Sequence, residues 1–415
     1  MGGRFILGFG AAIASAAAPA YAVELAHPAY RGVQAGMYNN FWWVGNILSG
    51  WVTYGCNKSL LNSWAWRTPT LIQCVLPSIT MVMILFFPES PRWLIAKDRP
   101  EEALAVFAKY HTKTGDVNDH IVQLQYHEII EQMRAYRNEN PWWDFREFFN
   151  TRAARYRISM VICMAFFGQW SGNNVVSYFM PQMMLQAGIT DVNKQLIITA
   201  INPIFAVIGA IYGATLLDKL GRRKMLMGGL IGGLFSYCLL TAFTAESFKN
   251  PNLSYGVIVS VYLFGIFFAW GWTPLQTLYA VECLENRTRA KGSGLNFLFL
   301  NLAMVVSKFF PVLFPCRHIL TGFSFFAQYA NLCFSTDTYG IAVGMEKIGW
   351  KLYLVYIGWI CVELATIFFL FVETAGKTLE ELSDVFNAPN PVKASLKREK
   401  VQVDERGTVL RVDSA

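Results

Sequence analysis

Polar side chains stand at several points of this chain where apolar ones are expected. The stretch Gly168-Gln169-Trp170-Ser171-Gly172-Asn173-Asn174-Val175-Val176-Ser177-Tyr178 lies inside a long apolar run, and Asn39, Asn202 and Gln276 lie in others. A carboxamide offers two donors and an acceptor, which matches it to hydroxyl groups, since these also do both. In apolar surroundings such a side chain is costly, so it faces a cavity or serves as glue to another helix. The chemistry on offer is reversible binding. No catalytic constellation stands out, and none of the five histidines lies in a clear apolar span. Eight cysteines occur singly, with no CxxC or Cys/His spacing, so neither a disulfide framework, a metal site nor a cofactor is implied. Glu363, in the middle of the last apolar run, is the second kind of candidate. An ionisable group there is a functional hypothesis by default, either a titrating group or one half of a structural pair.

The elements that carry these residues are too apolar for an ordinary soluble protein. The 415-residue chain is 54% hydrophobic and only 15% charged, with a mean hydropathy of +0.33, against about a quarter charged for a soluble domain. A membrane helix needs about 20 mostly apolar residues. Such runs occur at residues 5–23, 32–56, 68–87, 158–185, 196–217, 225–243, 255–281, 292–314 and 352–372, with 319–335 a doubtful tenth. Pro274 removes a backbone hydrogen bond from the seventh run and predicts a kink there.

The net charge of +7 comes from short clusters at the ends of runs rather than from one basic face, which excludes a nucleic-acid partner. Arg31, the cluster at 92–99, Lys219 to Lys224, Arg287 to Lys291 and the tail fall on alternate loops, so the positive-inside rule places these loops and the C-terminus in the cytoplasm. Between the third and fourth runs, residues 94–157 are polar and carry helix signals: Asp98 as N-cap, Pro100 in the first turn, then Glu101 and Glu102. Ala103, Phe107 and Tyr110 mark one face, and Ile121, Leu124, Ile129 and Met133 a second. Residues 385–415 are polar and charged and are expected to be disordered. Asn57-Lys58-Ser59 and Asn252-Leu253-Ser254 are glycosylation sequons on the opposite loops. Met1 to Ala22 has the outline of a secretory signal peptide, but the residues after it continue one pattern without a break.

That pattern resembles the sugar porters of the major facilitator superfamily. Gly3-Arg4, Gly8, Gly10, Ser15, Pro19, Tyr21, Glu24, Pro28 and Arg31-Gly32 are similar to its fourth helix and the loop after it, and Pro88-Glu89-Ser90-Pro91-Arg92-Trp93 to the end of its sixth. Asp218-Lys219-Leu220-Gly221-Arg222-Arg223-Lys224 resembles the superfamily loop motif, and Val372-Glu373-Thr374-Ala375-Gly376-Lys377-Thr378 the end of its last helix. The two matching endings form a weak internal repeat of the kind transporters are built from.

The resemblance implies an all-helical membrane protein with about nine of twelve expected transmembrane helices. It divides into residues 1–93 as the remnant of an N-terminal bundle, 94–157 as a cytoplasmic helical linker, and 158–384 as a six-helix C-terminal bundle. Counted against the family, the chain reads as N-terminally truncated. Residues 311–339 have no family counterpart and read as an atypical insert resembling a translated intron.

The implied function is transport of a hexose or disaccharide by alternating access, coupled to a proton, in the plasma membrane. The 168–178 stretch resembles the seventh-helix motif Gln-Gln-x-Ser-Gly-x-Asn, with Gly168 in place of the first Gln. Gln169, Asn173, Asn174, Asn202, Asn39 and Gln276 become sugar ligands. Trp272 to Thr277 and Arg289-Ala290-Lys291-Gly292 look like fungal lactose and cellodextrin permeases, which tilts the substrate toward a disaccharide. Glu24, Arg31, Glu89, Arg92, Asp218, Arg222, Arg223, Glu282 and Arg289 form an expected inner charge network that latches and releases, while Arg4 and Glu363 are the proton-coupling candidates. Two alternatives stand beside this: a sugar receptor with a transporter fold, and a non-transporting fragment of an incomplete gene model.

Overall fold

In a bilayer the backbone has no water to bond, so apolar runs must satisfy their own polar groups as helices. The computed structural model of the chain is accordingly helical through most of its length. It describes residues 2–27, 31–60, 62–112, 115–137, 144–247, 250, 253–285, 288–313, 349–377, 379–396, 399–403 and 409–413. Most of the expected insert, the doubtful tenth span and the Asn252 sequon lie outside the described residues, as do the side chains of Arg4, Arg31, Asn39, Asp218 and Met133. The described residues fall into two units.

The first unit holds residues 1–144 and 190–204. Its helices are α1 (Gly2–Glu24), α2 (Arg31–Ser59), α3 (Trp64–Ile72), α4 (Val75–Met83), α5 (Pro91–Ala96), α6 (Pro100–His111) and α7 (His120–Arg137). The third expected span is thus two helices. Pro77 has no N–H to give the Gln73 carbonyl, and the break falls at that point. Ser90 caps α5 by accepting from Trp93 N, with Pro91 in the first turn.

The linker helices depart from the expected faces. Asp98 is not the N-cap of α6: it takes φ +57, and Arg99 stands at the cap position. Phe107, Val122 and Ile129 form the buried cluster, with Ile95 and Leu104 against it. Tyr110, Ile121 and Leu124, expected inward, are exposed. A short helix with apolar residues on two neighbouring faces does not reveal which one packs, and the stripe through Val122 prevailed. His111, buried, ties the linker together, its ring nitrogens lying 2.8 Å from Gln125 Oε1 and 3.2 Å from the Leu25 carbonyl.

The second unit holds the remaining described residues. Its fourth expected span is three helices, α8 (Arg152–Trp170), α9 (Asn173–Tyr178) and α10 (Met180–Gln186). Gly172, at φ +94, turns the chain between the first two, and Phe179 with Pro181 separates the last two. Then follow α11 (Val192–Leu220), which begins in the first unit, α12 (Arg222–Ser247), α13 (Ser254–Gly271), α14 (Leu275–Glu282), α15 (Arg289–Leu313) and α16 (Lys351–Leu370). The kink expected at Pro274 is the gap between α13 and α14.

The most extensive pairing is α12 with α13, and glycines permit it. A Cβ on Gly271 would lie 2.8 Å from Gly229 Cα, and one on Gly213 of α11 would collide with the Trp270 carbonyl. The tail is not disordered throughout as expected. After α17 (Leu379–Asn387) and α18 (Pro391–Leu396), β1 (Glu399–Val403) pairs antiparallel with β2 (Val409–Asp413), placing Val401 opposite Arg411 and Val403 opposite Val409. The β-branched valines favour extended backbone there.

Among the described residues, six helical stretches are long and apolar enough to cross a membrane by length and composition: Phe5–Ala22, Trp64–Phe86, Val192–Leu217, Arg222–Ser247, Ser254–Glu282 and Lys351–Leu370. The other three expected spans are α2, the broken α8 to α10, and α15.

Candidate functional site

The break in α8 is held open by a tyrosine. Tyr237 of α12 is wholly buried among Phe264, Tyr353 and Tyr356, and its hydroxyl donates to the Gly172 carbonyl at 2.8 Å. The same carbonyl accepts from the Val175 and Val176 N–H groups at 3.1 and 3.2 Å, so the tyrosine is a further donor at the start of α9, and any Cβ at 172 would collide with its hydroxyl. The interruption presents the carboxamides. Asn174 is 3% exposed with its Nδ2 unpartnered, Gln169 is 5% exposed, and Asn173 accepts from Ser177 Oγ at 3.3 Å.

Gln276 reaches the same place from α14. A Cβ on Gly168 would lie 2.5 Å from Gln276 Nε2, so the amide rests on the bare surface of α8, and its Nε2 is buried without an acceptor. Trp359 of α16 packs edge-on against Trp170 and Phe167, with ring centroids 5.2 and 6.4 Å away. One turn further along α16, Glu363 is 0% exposed, with both carboxylate oxygens buried and without a hydrogen-bond partner. Asn296, not singled out in the sequence, is 1% exposed with Oδ1 unpartnered, on the helix that the Trp170 indole bonds through the Ala303 carbonyl. Its signal was the same as for the others, an amide inside an apolar run.

Two of the expected ligands belong to the first unit. Asn202 is 8% exposed with Oδ1 unpartnered, and the side chain of Asn39 lies outside the described residues. Asn40 beside it is 6% exposed, with neither amide atom partnered, and the buried Trp43 indole one turn on is likewise unpartnered.

Parts of the expected inner charge network are seen within each unit. In the second, Arg222 forks onto Glu282, with Nε to Oε2 at 3.2 Å and Nη2 to Oε1 at 3.0 Å, and Thr374 Oγ1 donates to Glu282 at 2.6 Å. The Glu373 carboxylate accepts from the backbone N–H of Arg222 at 2.8 Å, Arg223 at 3.1 Å and Ala375 at 3.1 Å. Glu373 therefore caps α12, where orphan N–H groups and the helix dipole favour an anion. Gly221, at φ +88, lets the carboxylate in, since a Cβ there would lie 2.6 Å from Glu373 Oε2. Arg223 also donates to the Phe368 carbonyl, and Arg157 pairs with Glu285 at 3.3 Å. Glu373, Thr374, Arg157 and Glu285 were not among the expected members. Arg289 begins α15. In the first unit Ser90 Oγ donates to Glu24 and Tyr21 donates to the Pro88 carbonyl at 2.6 Å, while Glu24, Glu89 and Arg92 line a cleft of about 380 Å³.

Comparison with known proteins gives a consistent result. The family described as "Sugar (and other) transporter" matches residues 1–386. A high-affinity glucose transporter of Kluyveromyces lactis is 30% identical over 410 residues, covering 92% of this chain and 67% of its own length. A probable quinate permease of Aspergillus clavatus is 25% identical, covering 93% of this chain and 68% of its own length. Among solved structures, the xylose transporter XylE from E. coli in a partially occluded inward-open form superposes with a TM-score of 0.62 at 20% identity, over 88% of this chain and 69% of that one.

Proposed function

The chain belongs to the Sugar (and other) transporter family, a multi-pass membrane family of the major facilitator fold, and from that premise we propose that it binds a sugar at the carboxamides beside the α8 break and serves its movement by alternating access. One observation carries the assignment: Asn174 Nδ2 and Gln276 Nε2 are buried donors without protein acceptors, and Gln169, five residues before Asn174, is buried as well. Unpaired buried donors are costly, and a polyhydroxylated ligand would satisfy them. Trp170 and Trp359 beside them supply aromatic surface for the apolar side of such a ligand. The relatives named above are transporters and permeases, not enzymes.

Substrate size is the finer part of the proposal. The chain's own departures, Gly168 and the Gln276-Thr277 pair, support a hexose or disaccharide. Glu363 is the proton-coupling carboxyl in this reading, because no cation pairs with it among the described residues, and a lone charge in an apolar bundle is expensive where a neutral acid is not. The basic loop ends support a plasma-membrane orientation with the C-terminus in the cytoplasm.

Equilibrium binding of D-glucose, lactose and quinate to the purified chain in detergent tests the proposal. Saturable binding of D-glucose or lactose is expected; binding of neither overturns it. Glu363→Gln should retain sugar affinity while removing its pH dependence. An unchanged pH profile would remove Glu363 from the coupling role.

A further inference from the structure

Gly168 is a glycine in a regular turn of α8, where alanine is the better helix former. Its backbone does not need glycine, for it is absent from the glycines at positive φ. What the position requires is the missing side chain. A Cβ there would lie 2.5 Å from Gln276 Nε2, 3.0 Å from Cδ and 3.4 Å from Cγ, so the carboxamide lies along the bare strip of helix. The break at Pro274 starts α14 at Leu275, one residue before Gln276, and aims it there. Nε2 is shut from solvent and has no acceptor, beside Gln169 at 5% exposure.

We propose that Gly168 and Gln276 are one specificity element: the glycine leaves the room in which the Gln276 amide is seated, and the N–H so held is the donor that a substrate hydroxyl oxygen accepts. The inference rests on the sugar site proposed above. It answers the departure at 168, because an amide that α8 does not supply arrives from α14. The two positions should then vary together, and a larger residue at 168 would demand a smaller one at 276.

Alanine at 168 is the sharpest probe, since Nε2 is the far end of a flexible side chain and would be displaced without unfolding α8. Gly168→Ala is expected to keep or raise the thermal midpoint while lowering affinity for the bound probe, D-glucose or lactose, about tenfold. Gln276→Ala should lose about the same factor, and the double variant no more than Gln276→Ala alone. Wild-type affinity in Gly168→Ala, or losses that multiply in the double variant, would overturn the pair. A wild type that binds neither sugar is a different result, which removes the site itself. The seat is then read without ligand: Gly168→Gln should lower the thermal midpoint and Gln276→Ala should restore it, and no restoration overturns the proposal.

Discussion

Glu89 and Glu373 occupy matching places in two similar phrases, yet their surroundings differ. Glu373 is held by three backbone N–H groups at the start of α12 and behind its own helix end, with the Arg222–Glu282 fork beside it. Glu89 is exposed and lines the cleft with Glu24 and Arg92, and it is Ser90, its neighbour, that caps α5 and bonds Glu24. The same contrast holds for the helices above them. The most apolar 18-residue windows at Phe5–Ala22 and Trp64–Phe86 have 0% of their residues buried, whereas those within Arg222–Ser247 and Ser254–Glu282 have 50% and 56%. Apolarity alone therefore makes a membrane helix. A bundle needs in addition glycines at crossings and carboxylates at helix starts, and the second unit has both.

Two paired substitutions and one single one sharpen that contrast. The largest effect is expected for Glu373→Ala, which strips three N–H groups of their acceptor and should cost about 3 kcal/mol, while Glu89→Ala costs under about 0.5 kcal/mol. Thermal unfolding in detergent compares them, and equal losses would dissolve the distinction. Next, Gly213→Leu forces a side chain into the Trp270 carbonyl and should cost about 2 kcal/mol, whereas the same change at Gly10, which has nothing within 4 Å, should be silent. The smallest is Ser90→Ala, about 1 kcal/mol for the lost cap of α5, read in the same unfolding experiment. A silent Ser90→Ala would leave the first unit without a measurable anchor at that helix.

Much of the fold was legible because its signals are local. Apolar run length gave six spans that the helices match, and Pro274 gave the break before α14. What was not legible depends on partners distant in sequence. Nothing in Val372-Glu373-Thr374 says that its carboxylate will seat on Arg222 and Arg223, and nothing in Gly168 says that Gln276 will fill it. Tyr237 carries no signal beyond being an aromatic in an apolar run, although it bonds the Gly172 carbonyl. The linker faces were misassigned at Tyr110 and Leu124 because periodicity reports a face without naming the neighbour it meets. The pairing of β1 with β2 was hidden by the charged composition of the tail.

Polar residues in the second unit also differ from those in the first in how they are presented, since Asn174 sits at a helix break and Asn40 within the continuous α2. The most direct measurement is the affinity of wild type, Asn174→Ala and Asn40→Ala for D-glucose and lactose by calorimetry in detergent. Abolished binding in Asn174→Ala, with the protein still folded and Asn40→Ala close to wild type, is the predicted result. Undiminished affinity in Asn174→Ala would contradict the placement of the sugar at the α8 break.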